Sequence, residues 1–369
     1  MIDRRCVLIA AGGTGGHLFP AEALAVALAK RGVPAELATD DRALKYGGNF
    51  PARALHVFAS ATPTGSGLAS KLGATAKLGA GVVAALLRMR KIGPRAVIGF
   101  GGYPTVPPLV AAALLGLPTL LHEANPVMGR ANRFLSSRVG VVACGFAQLR
   151  GLDAKYLPKL RHTGNPVRPA VIEAAARPYP EGGRLNLLVT GGSQGARVMA
   201  DVVPAALALL SAQERLGIRL TQQARGEDKL RVAAVCAHMG FALEVAEFFV
   251  DLPARIAAAH LVIGRAGAST VAELAVIGRA SILVPFPHAL DQDQAANAAA
   301  LSAVGAATVI AEKEFTPERL AASLRAALAD PGSLRRQAAA AKSAAIVDAA
   351  ERLAELVLQT GEAAAFAKA

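Results

Sequence analysis

Four glycine-rich turns, each set directly behind a short apolar run, restrict what this chain can fold into more than any other feature. GGTGGH occupies 12–17 behind Cys6–Ala11, GFGGYP 99–104 behind Ala96–Ile98, GGSQGAR 191–197 behind Leu185–Thr190, and GRAGAST 264–270 behind Leu261–Ile263. A short apolar run bounded by turn signals reads as a strand buried on both faces. Glycine at its end lets the backbone turn sharply, and a helix that follows begins with amides that have no partner inside the helix. Ala- and Leu-rich segments do follow, at 21–31, 196–210 and 270–278. The alternation predicts an α/β protein of parallel sheets covered by helices. A chain of 369 residues exceeds what one core serves, and the device occurs in both halves, so two domains with a cleft between them are expected. The turn residues Gly164-Asn165-Pro166 put the boundary there, giving domains at 1–164 and 165–344. An Ala-rich helix at about 345–361 can return to the first domain, with a frayed tail from Glu362.

Composition narrows the function. Hydrophobic residues make up 53% of the chain, enough for sizeable cores, and Cys6, Cys144 and Cys236 lack metal-ligand spacing, so buried, reduced thiols are expected. The N-terminus lacks the layout of a signal peptide, because its apolar stretch runs straight into glycines. The longest uncharged stretch, Ala96–His122, is broken by four prolines and four glycines, which reads as strand, loop, helix and strand and not as a membrane span.

The net charge of +13 is unevenly placed. Residues 1–165 hold 20 Lys/Arg against 7 Asp/Glu, and 166–369 hold 20 against 20. An anionic membrane face or a pyrophosphate-bearing substrate fits this better than nucleic acid, since there is no Trp, only four Tyr and no base-reading motif. The segment 67–95 combines Lys71, Lys77, Arg88, Arg90, Lys91 and Arg95 with Leu72, Val83 and Leu87, although its charges do not fall cleanly on one helical face. Peripheral, salt-sensitive binding to an anionic bilayer is the expectation.

The turns themselves carry chemistry. GGTGGH has neither the Gly-Lys-Ser/Thr ending of a phosphate-cradling P-loop nor the spacing of a dinucleotide fingerprint. His17 follows the glycines at a helix N-terminus, where the local positive field favours a neutral imidazole able to take a proton from an alcohol. In GRAGASTVAEL the amides near Ala268–Thr270 suit a diphosphate, and Glu273, one turn into the helix, suits the two hydroxyls of a ribose. Asp291, Gln292, Asp293, Gln294 and Asn297 form a polar knot fitted to sugar hydroxyls. No metal-binding pattern accompanies these loops, and no cofactor is expected.

Eight blocks in order resemble one family closely: GGTGGHLFPAEALA at 12–25, GFGGYPTVPP at 99–108, HEANPVMGRANR at 122–133, GNPVR at 164–168, GGSQGAR at 191–197, EFFVDL at 247–252, RAGASTVAEL at 265–274 and VPFPHALDQDQAANA at 284–298. Together they resemble the MurG glycosyltransferases, which add N-acetylglucosamine to the undecaprenyl-linked muramyl precursor of peptidoglycan. The resemblance implies a GT-B fold, two doubly wound Rossmann-like domains facing across a cleft, and inverting transfer from UDP-N-acetylglucosamine to the muramyl 4-hydroxyl of lipid I. It implies that the backbone at Phe249 reads uracil and Glu273 holds the ribose. Ser193 and the amides of Ala268, Ser269 and Thr270 take the diphosphate, with Arg168 close by. Asn125, Gln294 and the Thr14-Gly15-Gly16 turn meet the donor sugar. Lipid I enters over Gly12, Gly13, Gly101, Gly102 and Tyr103, and His17 is the candidate base.

The setting so implied is the cytoplasmic face of a bacterial inner membrane, with cell-division or cell-wall synthesis proteins as partners. Thr221–Arg225 departs from the His-Gln-Thr-Gly run common in relatives, so no site residue is assigned there. Two alternatives remain open: a UDP-N-acetylglucosamine 2-epimerase on the same fold, and a non-catalytic glycosyltransferase-like membrane subunit.

Overall fold

A computed structural model of the chain describes residues 5–12, 15–41, 50–61, 68–192, 195–287 and 292–366. The chain divides into two compact units, one of Met1–Arg168 with Ile346–Ala369 and one of Pro169–Ala345.

The first unit runs β1 (Val7–Ala10), α1 (Gly15–Lys30), β2 (Ala35–Thr39), β3 (Leu55–Val57), α2 (Leu68–Ile92), β4 (Ala96–Gly99), α3 (Val106–Leu114), β5 (Thr119–Glu123), α4 (Arg130–Ser136), β6 (Val141–Cys144) and β7 (Leu160–His162). Its seven strands pair in the order β3-β2-β1-β4-β5-β6-β7, all parallel. Every residue of β1, β2, β4 and β5 is buried, as strands covered on both faces must be. Alternate side chains serve the two layers: Val7 and Ile9 pack with Leu24 and Leu28 of α1 on one face. Leu8 and Ala10 pack with Ala85 and Met89 of α2 and Leu109 of α3 on the other. The stretch Ala96–His122 is divided among β4, a short 3-10 turn, α3 and β5.

The second unit runs α5 (Pro169–Ala175), β8 (Leu185–Thr190), α6 (Arg197–Ala208), α7 (Ala212–Leu216), β9 (Ile218–Gln223), α8 (Gly226–Cys236), β10 (Ala242–Ala246), α9 (Leu252–Ala258), β11 (Leu261–Gly264), α10 (Ala268–Ile277), β12 (Ala280–Leu283), α11 (Asp293–Ala303), β13 (Ala307–Val309), α12 (Pro317–Ala329) and α13 (Pro331–Ser343). Its sheet, β10-β9-β8-β11-β12-β13, is again parallel and has the Rossmann order 3-2-1-4-5-6 when numbered within the unit. In both units the strand order reverses beside the first strand. Ligands of such sheets bind outside the carboxyl ends of the strands at that point, and there Ala10 pairs with Gly99 and Thr190 with Gly264. Two glycine turns therefore emerge side by side in each unit.

The last helix, α14 (Ala349–Phe366), belongs to the first unit. Leu353, Ala354 and Val357 are fully buried in the core that contains α1. The helix continues past Glu362 to Phe366, and Glu362 accepts a hydrogen bond from Arg95 at 3.3 Å, while residues 367–369 of the tail lie outside the described residues. Cys6, Cys144 and Cys236 are free and buried, and burial pushes each thiol up to about 11, so none is poised as a nucleophile.

Candidate active site

The first unit gathers its candidate residues at the carboxyl ends of β1, β4 and β5. His17 is the third residue of α1, half-buried, with Nδ1 3.1 Å from the carbonyl oxygen of Gly12. A carbonyl only accepts, so Nδ1 is the donor in this contact. The imidazole lies flat on the turn behind β4. A Cβ at Gly102 would lie 3.2 Å from its Cε1, and one at Gly101 3.5 Å from its Cδ2. Both glycines are also left-handed, at φ 74° and 92°, so a side chain there is strained by conformation and closely crowded by its neighbours. Gly12 abuts the same turn, its absent Cβ 2.9 Å from Pro104, and Tyr103 opens the 3-10 turn that leads into α3. Gly15 begins α1 against Phe19, and Gly16 is exposed beside it. Arg168 belongs to this unit as well, its guanidinium stacked 3.8 Å over the Phe19 ring.

Asn125, on the loop behind β5, is held by a carboxylate that carried no assignment from the sequence. Glu123 is buried, and its Oε1 accepts from the Asn125 backbone N–H at 3.0 Å and from Asn125 Nδ2 at 3.1 Å. Its Oε2 accepts from Gly129 N at 3.0 Å and from Asn132 Nδ2 at 2.7 Å. Burial raises the Glu123 pKa, and these donors work against that rise. The Asn132 carboxamide in turn backs Gly101, so one buried carboxylate organises both the Asn125 loop and the rear of the glycine turn under His17. Beside it His122 is fully buried, donates Nε2–H to Gly164 O at 3.1 Å, and has its pKa lowered to about 4 by burial.

The second unit gathers its candidates behind β8, β10, β11 and β12. The N-cap of α10 is Gly267, with no side chain to satisfy the first amides, so Ala268, Ser269 and Thr270 present N–H groups at a positive helix end. Glu273 lies one turn further in and is buried. Gln294, near the start of α11, turns its Oε1 to the backbone N–H groups of Ala266 at 3.2 Å and Phe286 at 3.1 Å. Asn297 Nδ2 donates to Ala266 O at 2.9 Å, and Arg265 donates to the carbonyls of Val284 and Pro285. The turns behind β11 and β12 are thus knitted together from α11. Phe249 is buried behind β10 with the Arg255 guanidinium 4.3 Å from its ring centroid. Gly191 and Gly192 follow β8, Gly192 at φ 78°. Gly13, Thr14 and Ser193 lie outside the described residues, as does Asp291. Among the described residues no three His, Cys, Asp or Glu side chains come together as a metal site.

Comparison with known proteins follows the same division. Residues 7–144 match the glycosyltransferase family 28 N-terminal domain and residues 186–353 the glycosyltransferase family 28 C-terminal domain. The chain is 57% identical over 359 residues to the UDP-N-acetylglucosamine–N-acetylmuramyl-(pentapeptide) pyrophosphoryl-undecaprenol N-acetylglucosamine transferase of Methylobacterium nodulans, covering 96% of each. Identity to the protein of the same description from Rhodopseudomonas palustris is 53% over 356 residues, 96% of this chain and 95% of that one. Among solved structures, Acinetobacter baumannii MurG matches with a TM-score of 0.76 at 29% identity, over 96% of this chain and 99% of its own. The Neisseria meningitidis UDP-GlcNAc 2-epimerase, solved with UDP-GlcNAc bound, matches with a TM-score of 0.68 at 12% identity over 96% of this chain and all of its own, a likeness of fold alone. With both halves matched and more than half of all residues identical to full-length relatives, the chain belongs to the MurG family of GT-B N-acetylglucosaminyltransferases within glycosyltransferase family 28.

Proposed function

We infer that this chain is an inverting glycosyltransferase that moves N-acetylglucosamine from UDP-N-acetylglucosamine to the muramyl 4-hydroxyl of lipid I, giving lipid II. One observation carries the reading: identity of 57% over 96% of the chain to a transferase of that description, which spans both halves of the molecule. The epimerase alternative rests on fold alone.

In the second unit, the uncapped N-terminus of α10 suits the diphosphate, Glu273 the ribose hydroxyls, the backbone at Phe249 the uracil, and Gln294 the donor sugar. In the first, Gly12, Gly101, Gly102 and Tyr103 suit the acceptor. Attack by the acceptor hydroxyl forms the new bond at the anomeric carbon as the bond to the UDP oxygen breaks, with inversion. The hydroxyl proton goes to His17 Nε2, since Nδ1–H is committed to Gly12 O. Negative charge grows on the departing diphosphate, where preorganised amides are worth most.

The acceptor's polyprenyl chain calls for a membrane face, and α2 supports that role. Among the described residues it is the one helix long and apolar enough to cross a bilayer, yet only 17% of its apolar window is buried. Gly81, Ala85 and Met89 form its packing face, while Leu72, Val83 and Leu87 are exposed among Lys77, Arg90 and Lys91. Of the charges that looked scattered in projection, Lys77, Arg90 and Lys91 lie on the outward surface, whereas Arg95, just past the helix, is buried. Arg88 donates to His56 Nδ1 at 3.1 Å and is drawn toward the body of the unit. Peripheral attachment at the cytoplasmic face of the inner membrane is the reading, in the company of cell-division or cell-wall synthesis proteins. The direct check of the transfer reading is UDP release from UDP-N-acetylglucosamine: release that requires a lipid I analogue supports the reading, and release or epimerisation indifferent to the acceptor contradicts it.

A further inference from the structure

Gln223 stands at the carboxyl end of β9, the strand between β8 and β10, in the stretch that departs from the family run. It is 7% exposed and its carboxamide is fully used. Oε1 accepts from Thr190 Oγ1 at 2.9 Å and from Gly191 N at 3.0 Å, and Nε2 donates to Gly192 O at 3.1 Å and Glu247 O at 3.1 Å. The orientation is forced, since Gly191 N–H can only donate and the two carbonyls can only accept. One side chain therefore joins the glycine turn behind β8 to the loop behind β10, on which Phe249 lies two residues past Glu247. Neighbouring Gln222 has no such reach: its Nε2 donates to Met199 O, away from both loops. Few side chains can replace Gln223. Asn is one methylene short, Glu cannot donate to either carbonyl, and Lys cannot accept.

We propose that Gln223 is a positioning residue that sets the spacing between the diphosphate-side turn at 191–192 and the uracil-side loop at 247–249, and that affinity for a nucleoside diphosphate depends on that spacing. The proposal rests on the donor reading given above. A uridine diphosphate is two binding groups on one tether. Its second group engages at high effective concentration only when the two half-sites stand at the tether's length. Loosening the clamp leaves each half-site intact and removes the advantage of joining them.

The test measures dissociation constants of the full-length protein for UDP, uridine and pyrophosphate separately, in wild type and Gln223→Met, an apolar side chain of matching length. UDP is expected to weaken about tenfold or more while uridine and pyrophosphate stay within about threefold. A general loss of packing would weaken all three alike. Thr190→Val, which removes one bond to Gln223 Oε1, is the second variant and is expected to shift UDP in the same direction by less. It carries the test if Gln223→Met does not fold. Unchanged UDP affinity, or equal weakening of UDP and uridine, overturns the proposal. Wild-type protein that binds no UDP contradicts the donor reading itself, a different result from wild type that binds and a variant that binds equally well.

Discussion

His17 and Glu273 ask opposite things of their surroundings. The proposed role has the imidazole take a proton, and the contact of Nδ1 with Gly12 O and the glycine backing hold the ring in place. His17→Asn is expected to lower kcat about 10²–10⁴-fold with the donor KM little changed, the range of a general base. Steady-state kinetics beside a melting curve checks it, since a rate within a few-fold of wild type with a lowered Tm would make His17 a turn residue only. Glu273 must stay charged and bind, and each lost charge-assisted hydrogen bond costs about 1.5–3 kcal/mol. Glu273→Ala should therefore raise the donor KM far more than the acceptor KM, and an unchanged donor KM in folded protein removes it from the site.

His122 gives a pH signature at the same scale. Folded, it takes up no second proton until about pH 4, against 6.5 for the ordinary group. Between those values the unfolded chain binds more protons, so stability falls as pH drops from 6.5 toward 4, by about 3 kcal/mol for this group. Glu123, whose pKa is raised, acts with the opposite sign, so the informative quantity is a difference between variants. His122→Gln keeps a donor for Gly164 O and is expected to flatten the acid side of the Tm profile. Parallel profiles for the two proteins would contradict the assignment.

At the scale of elements, strands, glycine turns and helix starts were legible because each rule is local: an apolar run, a glycine, a helix N-terminus. Glu123 was in plain view within HEANP, but its four donors come from a loop and a helix start that only the folded β5 end brings around it. Gln223 was harder still, since its partners lie more than 20 residues away on two other strands' exits. Arg279, buried at 2% exposure, is satisfied by carbonyls both near and far along the chain, those of Ile277 and Gly278 beside it and those of Ala257 and Pro178 at a distance. Such a site exists only where the ends of α9 and α10 meet. The α2 surface is the element to which the membrane reading gives an external task. Arg90→Gln with Lys91→Gln is expected to weaken binding to phosphatidylglycerol vesicles by about 2 kcal/mol, roughly 30-fold, at about 1 kcal/mol per charge. Sedimentation with anionic and neutral vesicles checks this, and equal binding of the variant and wild type would mean the charges only solvate the helix.

For the whole molecule, the chain's repeated architecture matters more than any single loop. Each of the two Rossmann-order sheets has paired glycine turns at its switch point, and the proposed function assigns one unit to the acceptor and one to the nucleotide donor. The return of α14 onto the core of α1 ties the end of the chain to the first unit, and Arg95, reaching Glu362 from 267 residues away, explains why its last turns were read as frayed from sequence. The most direct measurement is the fate of the sugar. Purified protein given UDP-N-acetylglucosamine labelled in the sugar and a short-chain lipid I analogue should place the label on the lipid product in a β-linkage to the muramyl 4-hydroxyl, one UDP released per sugar moved. Label that stays on the nucleotide, or is recovered as the 2-epimer without acceptor, would contradict the account.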